Sequence, residues 1–195
     1  MAPGNPRNVS LDMFLSALRT EGETRPAAEF IPEVVRDCRP SLASLTPWIT
    51  FHPDHYARHR LYRNAQFEVL LLCWDRGQRT PIHDHDGQAG WITVLEGSLG
   101  IQEYTRKGGP ADLRELTSTD ETEPGSIRLA RSSHLTVPSG NSIAEAEPPE
   151  AIHRVGPENG RAMSLHIYAG PFDSFMVFDE ERATAKRIFV QPEPA

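Results

Sequence analysis

Apolar positions along the chain fall into two regimes. Between residues 10 and 48 they recur at helical spacing: Leu11, Phe14, Leu15 and Leu18 share one face of a helix that Ser10 can cap and that runs to about Thr20. A second helix is predicted from Ala27 to Cys38, ending before Pro40, and a shorter helical piece from Leu42 to Trp48. From Phe67 onward the period drops to that of strands. These are expected near 67–75, 80–84, 90–96, 99–105, 112–116, 126–129, 134–137, 151–155, 162–169, 174–178 and 186–190. Short strands at regular spacing with Gly and Pro between them predict an all-β sandwich or barrel carrying a small N-terminal helical cap. Residues 1–9 read as a disordered tail, Ser139–Glu150 as a surface loop, and the closing QPEPA as a frayed end. No internal repeat is present. A length of 195 residues fits one domain, with the cap over about 10–48 and the β unit over about 60–190.

Composition narrows the partners. A net charge of -7 opposes nucleic acid and anionic membranes, which both need clustered cations. Arginine carries nearly all the positive charge, since Lys107 and Lys186 are the only lysines; this reads as codon bias. Of the two cysteines, Cys38 and Cys73, the second lies within the apolar run FEVLLLC and reads as a buried thiol. Nothing in the sequence supports a disulfide, which favours a reducing cytoplasm. The opening MAPGNPRNVSLDMF has no charged region followed by an apolar core, so no signal peptide is expected, and no stretch approaches transmembrane length.

Residues 77–97, GQRTPIHDHDGQAGWITVLEG, hold the candidate chemistry. An H-x-H pair on a strand aims both imidazoles at one side, and His83 and His85, set between Gly77 and Gly97, can converge on a metal ion. The spacing matches the first cupin motif, with Gly90 where most cupins carry a glutamate ligand; it implies a cupin-type, jelly-roll-like β-sandwich or barrel. Without that glutamate a third ligand must come from elsewhere. The candidates are His134, His153 and His166, then His52, His55 and His59. His153, in the apolar AIHRV, lies where the second cupin motif supplies its histidine. Asp84 must point away from the two histidines on a strand, and Asp86 flanks them. His134 reads as structural. His52, His55 and His59 have helix-like spacing in a charged stretch and read as a solvated face. Ser164, His166 and Tyr168 alternate along MSLHIY and so share a face. Three inward polar groups are costly unless hydrogen-bonded, which predicts a relay beside the metal.

Taken together, YRN at 62–64, LLCW at 71–74, IHDH at 82–85, VLEGSL at 94–99, IHRV at 152–155 and SLHIYAGPFD at 164–173 resemble the cysteine dioxygenase family of thiol dioxygenases. The resemblance implies an Fe(II) cupin that converts a thiol and O2 to a sulfinic acid, taken first as L-cysteine to cysteine sulfinic acid. It implies that His83, His85 and His153 ligate iron, that Arg63 binds the substrate carboxylate, that Ser164, His166 and Tyr168 form the relay, and that Trp74 packs beside the site. Three positions depart from the animal members. Gly90 stands where their thioether-forming cysteine lies, so Tyr168 is not cross-linked there. Leu61 replaces the tyrosine before the arginine, with Tyr62 adjacent to serve. Ala169-Gly170 replaces a Ser-Pro pair.

Neutral imidazoles leave the ion's charge uncompensated, which favours a bound thiolate, and a guanidinium suits a carboxylate. Two other readings stand beside cysteine: a dioxygenase of 3-mercaptopropionate or mercaptosuccinate, and a cupin that binds metal without oxygen chemistry. A monomer is the family's habit.

Overall fold

The computed structural model describes residues 6–144 and 151–190. Arg7–Val9 forms strand β1, and helix α1 follows over Leu11–Gly22, where the Ser10 hydroxyl accepts from the Met13 amide at 3.2 Å and Phe14 and Leu18 are buried. Helix α2 spans Ala27–Asp37 and gives way to strand β2, Cys38–Pro40, which pairs in parallel with β1. The expected disorder of residues 1–9 therefore fails at 7–9. The partner that orders this segment is 31 residues downstream, beyond the reach of local composition. Leu42–Leu45 forms α3 and Thr46–Trp48 a 3-10 turn, matching the third helical piece.

The strands that follow are β3 (Ala57–Arg63), β4 (Phe67–Trp74), β5 (Ile82–His83), β6 (Ala89–Glu96), β7 (Ser98–Gly108), β8 (Ile127–Pro138), β9 (Ser142–Ala144), β10 (Ile152–Pro157), β11 (Ala162–Ala169), β12 (Ser174–Asp179) and β13 (Thr184–Phe189). They build two sheets, one ordered β3-β4-β11-β6-β9 and the other β13-β12-β5-β10-β7-β8. Face to face, the sheets enclose Leu70, Leu72, Trp74, Ile92, Val94, Leu99, Ile101 and Val155. The outer face of the five-stranded sheet is covered by the helices, through Phe14, Leu18, Phe30 and Ile31 against Phe67, Val69, Leu165 and Ile167. Strand β4 is thus buried on both faces, which is why its sequence is a nearly continuous apolar run. The architecture is the all-β cupin sandwich with an N-terminal helical cap.

Several boundaries differ from the sequence expectation. Residues 113–115 form a 3-10 turn, its start held by the Asp112 carboxylate accepting from the Arg114 amide at 2.9 Å, in place of a strand at 112–116. The strands expected at 126–129 and 134–137 are one continuous β8. Besides β1 and β2, two further strands were not expected: β3, whose sequence ARHRLYR carries no apolar alternation, and β9, inside the supposed loop Ser139–Glu150. Residues 145–150 of that loop and the QPEPA end lie outside the described residues. No described helix is long and apolar enough to cross a membrane. Cys38 and Cys73 are both buried free thiols.

Candidate metal centre and cavity

Strand β5 is only two residues long, yet it places His83 directly across from His153 of β10, with β12 on its other side. The chain then leaves the strand. Asp84 turns away from the cluster, as its parity requires, and its buried Oδ1 accepts from the amides of Met176, at 2.9 Å, and Asp86, at 3.2 Å. Burial pushes the Asp84 carboxyl upward, and those two amides oppose the shift. Asp86 adopts a φ of 52° and Gly87 one of 80°, reversing the chain after His85. The Asp86 carboxylate is gripped at 2.9 Å by Arg187, a side chain only 6% exposed. The outcome is that His85 returns to the side of His83.

One ligand atom from each of His83, His85 and His153 lies within 4.8 Å of the others. The ring centroids stand 4.7 to 5.3 Å apart. His83 Nδ1 is 3.1 Å from the Pro81 carbonyl oxygen, a hydrogen bond that leaves Nε2 as its nitrogen for a metal. Three convergent imidazoles, two of them buried, are a donor set that fits a divalent transition metal. Other histidines lie elsewhere: His134 pairs with Glu158 at 2.5 Å on the surface, and His166 belongs to a separate chain of hydrogen bonds.

That chain runs along β11. The Trp74 indole N–H donates to Ser164 Oγ at 2.9 Å, Ser164 Oγ lies 2.9 Å from His166 Nε2, and His166 Nδ1 lies 3.4 Å from the Tyr168 hydroxyl. All four side chains are buried. Tyr168 also packs edge-on to the His85 ring, 4.9 Å between centroids, and so links the chain to the imidazole cluster. Gly90 lies opposite Tyr168 on the neighbouring strand β6.

A cavity of about 780 Å³ opens beside the cluster, walled by His83, His153, His166, Tyr168, Leu70, Leu72, Phe172 and Phe175. Among the described residues of its wall, Arg58 carries a guanidinium. Arg63 and Tyr62, the residues expected to meet a substrate, are not in the lining. Arg63 pairs with Asp173 at 2.7 Å, and the Tyr62 ring packs on Phe67 with 5.2 Å between centroids. The wall carries Arg58 and Tyr56 instead, the Tyr56 ring stacking on Trp74 at 4.4 Å. Trp74, expected to pack beside the site, is not in the lining and donates its indole N–H to the Ser164 hydroxyl.

The register of β3 on β4 explains the exchange. Arg58 faces Leu72 and Arg60 faces Leu70, both on the inner side; a bulge at Leu61 then puts Tyr62 opposite Val69, on the helix side, and Arg63 opposite Glu68. The period-two spacing of Tyr56, Arg58 and Arg60 was the available signal, masked by the absence of apolar residues between them. His52, His55 and His59, expected to be a solvated face, lie on the cavity rim. His52 and His55 stay exposed and stack on each other at 4.7 Å, while His59 Nε2 is 2.7 Å from Thr50 Oγ1.

Two facing sheets with three imidazoles gathered between them define a metal-binding cupin. The family model for cysteine dioxygenase type I matches residues 42–181, so the chain belongs to that family. It is 27% identical over 129 residues to cysteine dioxygenase type 1 of Rattus norvegicus, covering 64% of this chain and 56% of that protein. It is 26% identical over 185 residues to 2-aminoethanethiol dioxygenase of Mus musculus, covering 88% of this chain and 66% of that protein. The chain thus spans little more than half the length of the cysteine dioxygenases it matches. Among solved structures, an uncharacterized conserved protein with a double-stranded beta-helix domain from Klebsiella pneumoniae superposes with a TM-score of 0.47 at 14% identity, covering 70% of this chain and 95% of that one.

Proposed function

We propose that the chain is a thiol dioxygenase that oxidises L-cysteine with O2 to cysteine sulfinic acid, with iron(II) held by His83, His85 and His153. One juxtaposition carries the reading: the imidazole cluster borders a cavity whose wall also holds the Arg58 guanidinium and the Tyr168 side chain. The overall change balances as R–SH + O2 → R–SO2H, in which sulfur gives up four electrons and the O–O bond is broken. Iron(II), when bound, supplies the redox chemistry and the open positions that let O2 react with a thiolate.

The protein's share is orientation and charge. Arg58 offers a planar fork matched to a carboxylate, and Tyr56, braced by Trp74, flanks it. An indole N–H can only donate, so Ser164 Oγ accepts from Trp74 and turns its own proton to His166 Nε2. His166 Nδ1–H then faces the Tyr168 oxygen. This polarity releases the tyrosine O–H to the cavity, where it donates to oxygen that gains negative charge. Arg58 replaces Arg63 in the carboxylate role.

The match to 2-aminoethanethiol dioxygenase covers more of the chain, but that thiol has no carboxylate. Arg58 in the cavity wall favours a carboxylate-bearing thiol: cysteine first, then 3-mercaptopropionate or mercaptosuccinate. The test is O2 uptake by the iron(II)-loaded protein with these four thiols, with mass detection of the sulfinate. Cysteine is expected to lead, and Arg58→Gln to raise its KM by about tenfold or more while leaving 2-aminoethanethiol unaffected. A preference for 2-aminoethanethiol that ignores Arg58→Gln overturns the cysteine assignment. No uptake with any thiol leaves a cupin that binds metal without oxygen chemistry.

A further inference from the structure

Glu68 has no part in the chemistry above, and its setting is unusual for a carboxylate. Its side chain is 1% exposed, on the inner face of β4, opposite Arg63 on one neighbouring strand and Tyr168 on the other. Three guanidiniums surround it: Arg58 at 3.8 Å, Arg60 at 3.7 Å and Arg63 at 3.8 Å. The bulge at Leu61 makes the third contact possible, because an unbroken period of two would turn Arg63 to the helix side. These are ion pairs beyond hydrogen-bond length, and neither carboxylate oxygen of Glu68 accepts a hydrogen bond. Glu68 therefore acts on Arg58 through charge, at ion-pair distance. A buried carboxylate is costly to maintain, and without it three like charges would share one strand face. Asp173 also faces Arg63, but it is 80% exposed and screened by solvent.

We propose that Glu68 is a positioning and specificity-determining residue: it holds Arg58 in the cavity wall and limits the positive potential there, so that the chain selects a thiol with one carboxylate over a thiol dicarboxylate. The proposal rests on the dioxygenase reading for its kinetic arm alone; a binding arm stands apart from it.

Mercaptosuccinate is 3-mercaptopropionate with one more carboxylate, so the ratio of the two isolates charge. Affinity is measured by anaerobic calorimetry on the iron(II)-loaded protein, and kcat/KM by O2 uptake. Glu68→Gln is expected to raise the mercaptosuccinate-to-3-mercaptopropionate ratio roughly five- to tenfold, the order expected when one unit charge is removed near a partly solvated site. Added salt shrinks the gain. Arg63→Gln, outside the cavity wall, is expected to lower the ratio, the double variant to return it toward the native value, and Glu68→Asp to keep it. A merely structural role would move both thiols together, so an unchanged ratio in Glu68→Gln and Arg63→Gln overturns the proposal. Should Glu68→Gln not fold, Arg63→Gln decides by itself. Binding without O2 uptake overturns the dioxygenase reading while the calorimetric ratio still judges Glu68; no binding of either thiol overturns both.

Discussion

Ser164→Ala removes a single oxygen on which two buried groups depend. In the native protein that oxygen accepts from Trp74 Nε1 and meets His166 Nε2, each at 2.9 Å, and Ser164 itself is 0% exposed. The variant leaves an indole N–H and an imidazole nitrogen facing a methyl group in a closed interior. Losing a buried hydrogen bond costs about 1 kcal/mol net, and stranding its partner raises this to about 1–3 kcal/mol. Two such losses, offset by about 1 kcal/mol because a hydroxyl no longer has to be buried, give about 1–5 kcal/mol. Against a total stability of about 5–15 kcal/mol, that is a large fraction.

Urea unfolding of the metal-free protein, followed by tryptophan fluorescence and circular dichroism, reads it directly. With a slope of about 2–3 kcal/mol per molar urea, the midpoint should fall by about 1 M. Trp74→Phe provides the control, since Ser164 can still donate to His166 there. The double variant should cost less than the sum of the singles by about 1 kcal/mol. A midpoint within about 0.3 M of the native value, together with simple additivity, would refute the reasoning and with it the polarity assigned to the relay.

The remaining expectations are shorter. His153→Ala should cut bound metal to about a tenth or less by elemental analysis while the far-ultraviolet spectrum persists; full metal retention removes His153 from the ligand set. Tyr168→Phe should lower turnover at least about tenfold with metal and KM held, and native turnover would end its catalytic role. Gly97 has a φ of 74°, and a Cβ there would collide with the Arg161 carbonyl oxygen. Gly97→Ala should therefore lose about 1–3 kcal/mol or more in thermal unfolding, and an unchanged midpoint would contradict the turn geometry. Burial pushes both the Cys38 and Cys73 thiols upward, so less thiolate is present at any working pH. Thiol reagents should leave both untouched in the folded protein and label both after unfolding; rapid native labelling would contradict their burial.

Legibility in the sequence followed the clarity of each face. Strand β11 was readable because Ser164, His166 and Tyr168 alternate with Leu165 and Ile167, and β4 because both its faces are covered. The imidazole cluster was readable from His83, His85 and the apolar strand around His153. Strand β3 was not, because its inward positions are arginines and the bulge at Leu61 breaks the period that would have placed them. Arg58 and Arg60 come before that irregularity and face inward without it; the bulge adds Arg63 to the same face, against Glu68. The pairing of Arg7–Val9 with Cys38–Pro40 was hidden for another reason: three polar or small residues gain a ladder only from a distant partner. Asp84 was rightly seen to turn away, but its grip on the Met176 amide depends on β12, which no local pattern reveals.

The brevity of β5 has a mechanical side. It is the strand between β12 and β10, so the β12–β13 hairpin meets the rest of its sheet along a seam two residues long. A seam that short leans on side chains, here Asp84 on the Met176 amide of β12 and Asp86 on Arg187 of β13. An ion shared by His83 and His153 would add to these by fixing β5 to β10, and Phe175, Ile188 and Phe189, which the hairpin lends to the cavity wall, would stiffen with it. Amide exchange in β12 and β13 should then slow on metal loading while β4 stays as it was. The metal would tune not only the reaction but the shape of the room in which it happens.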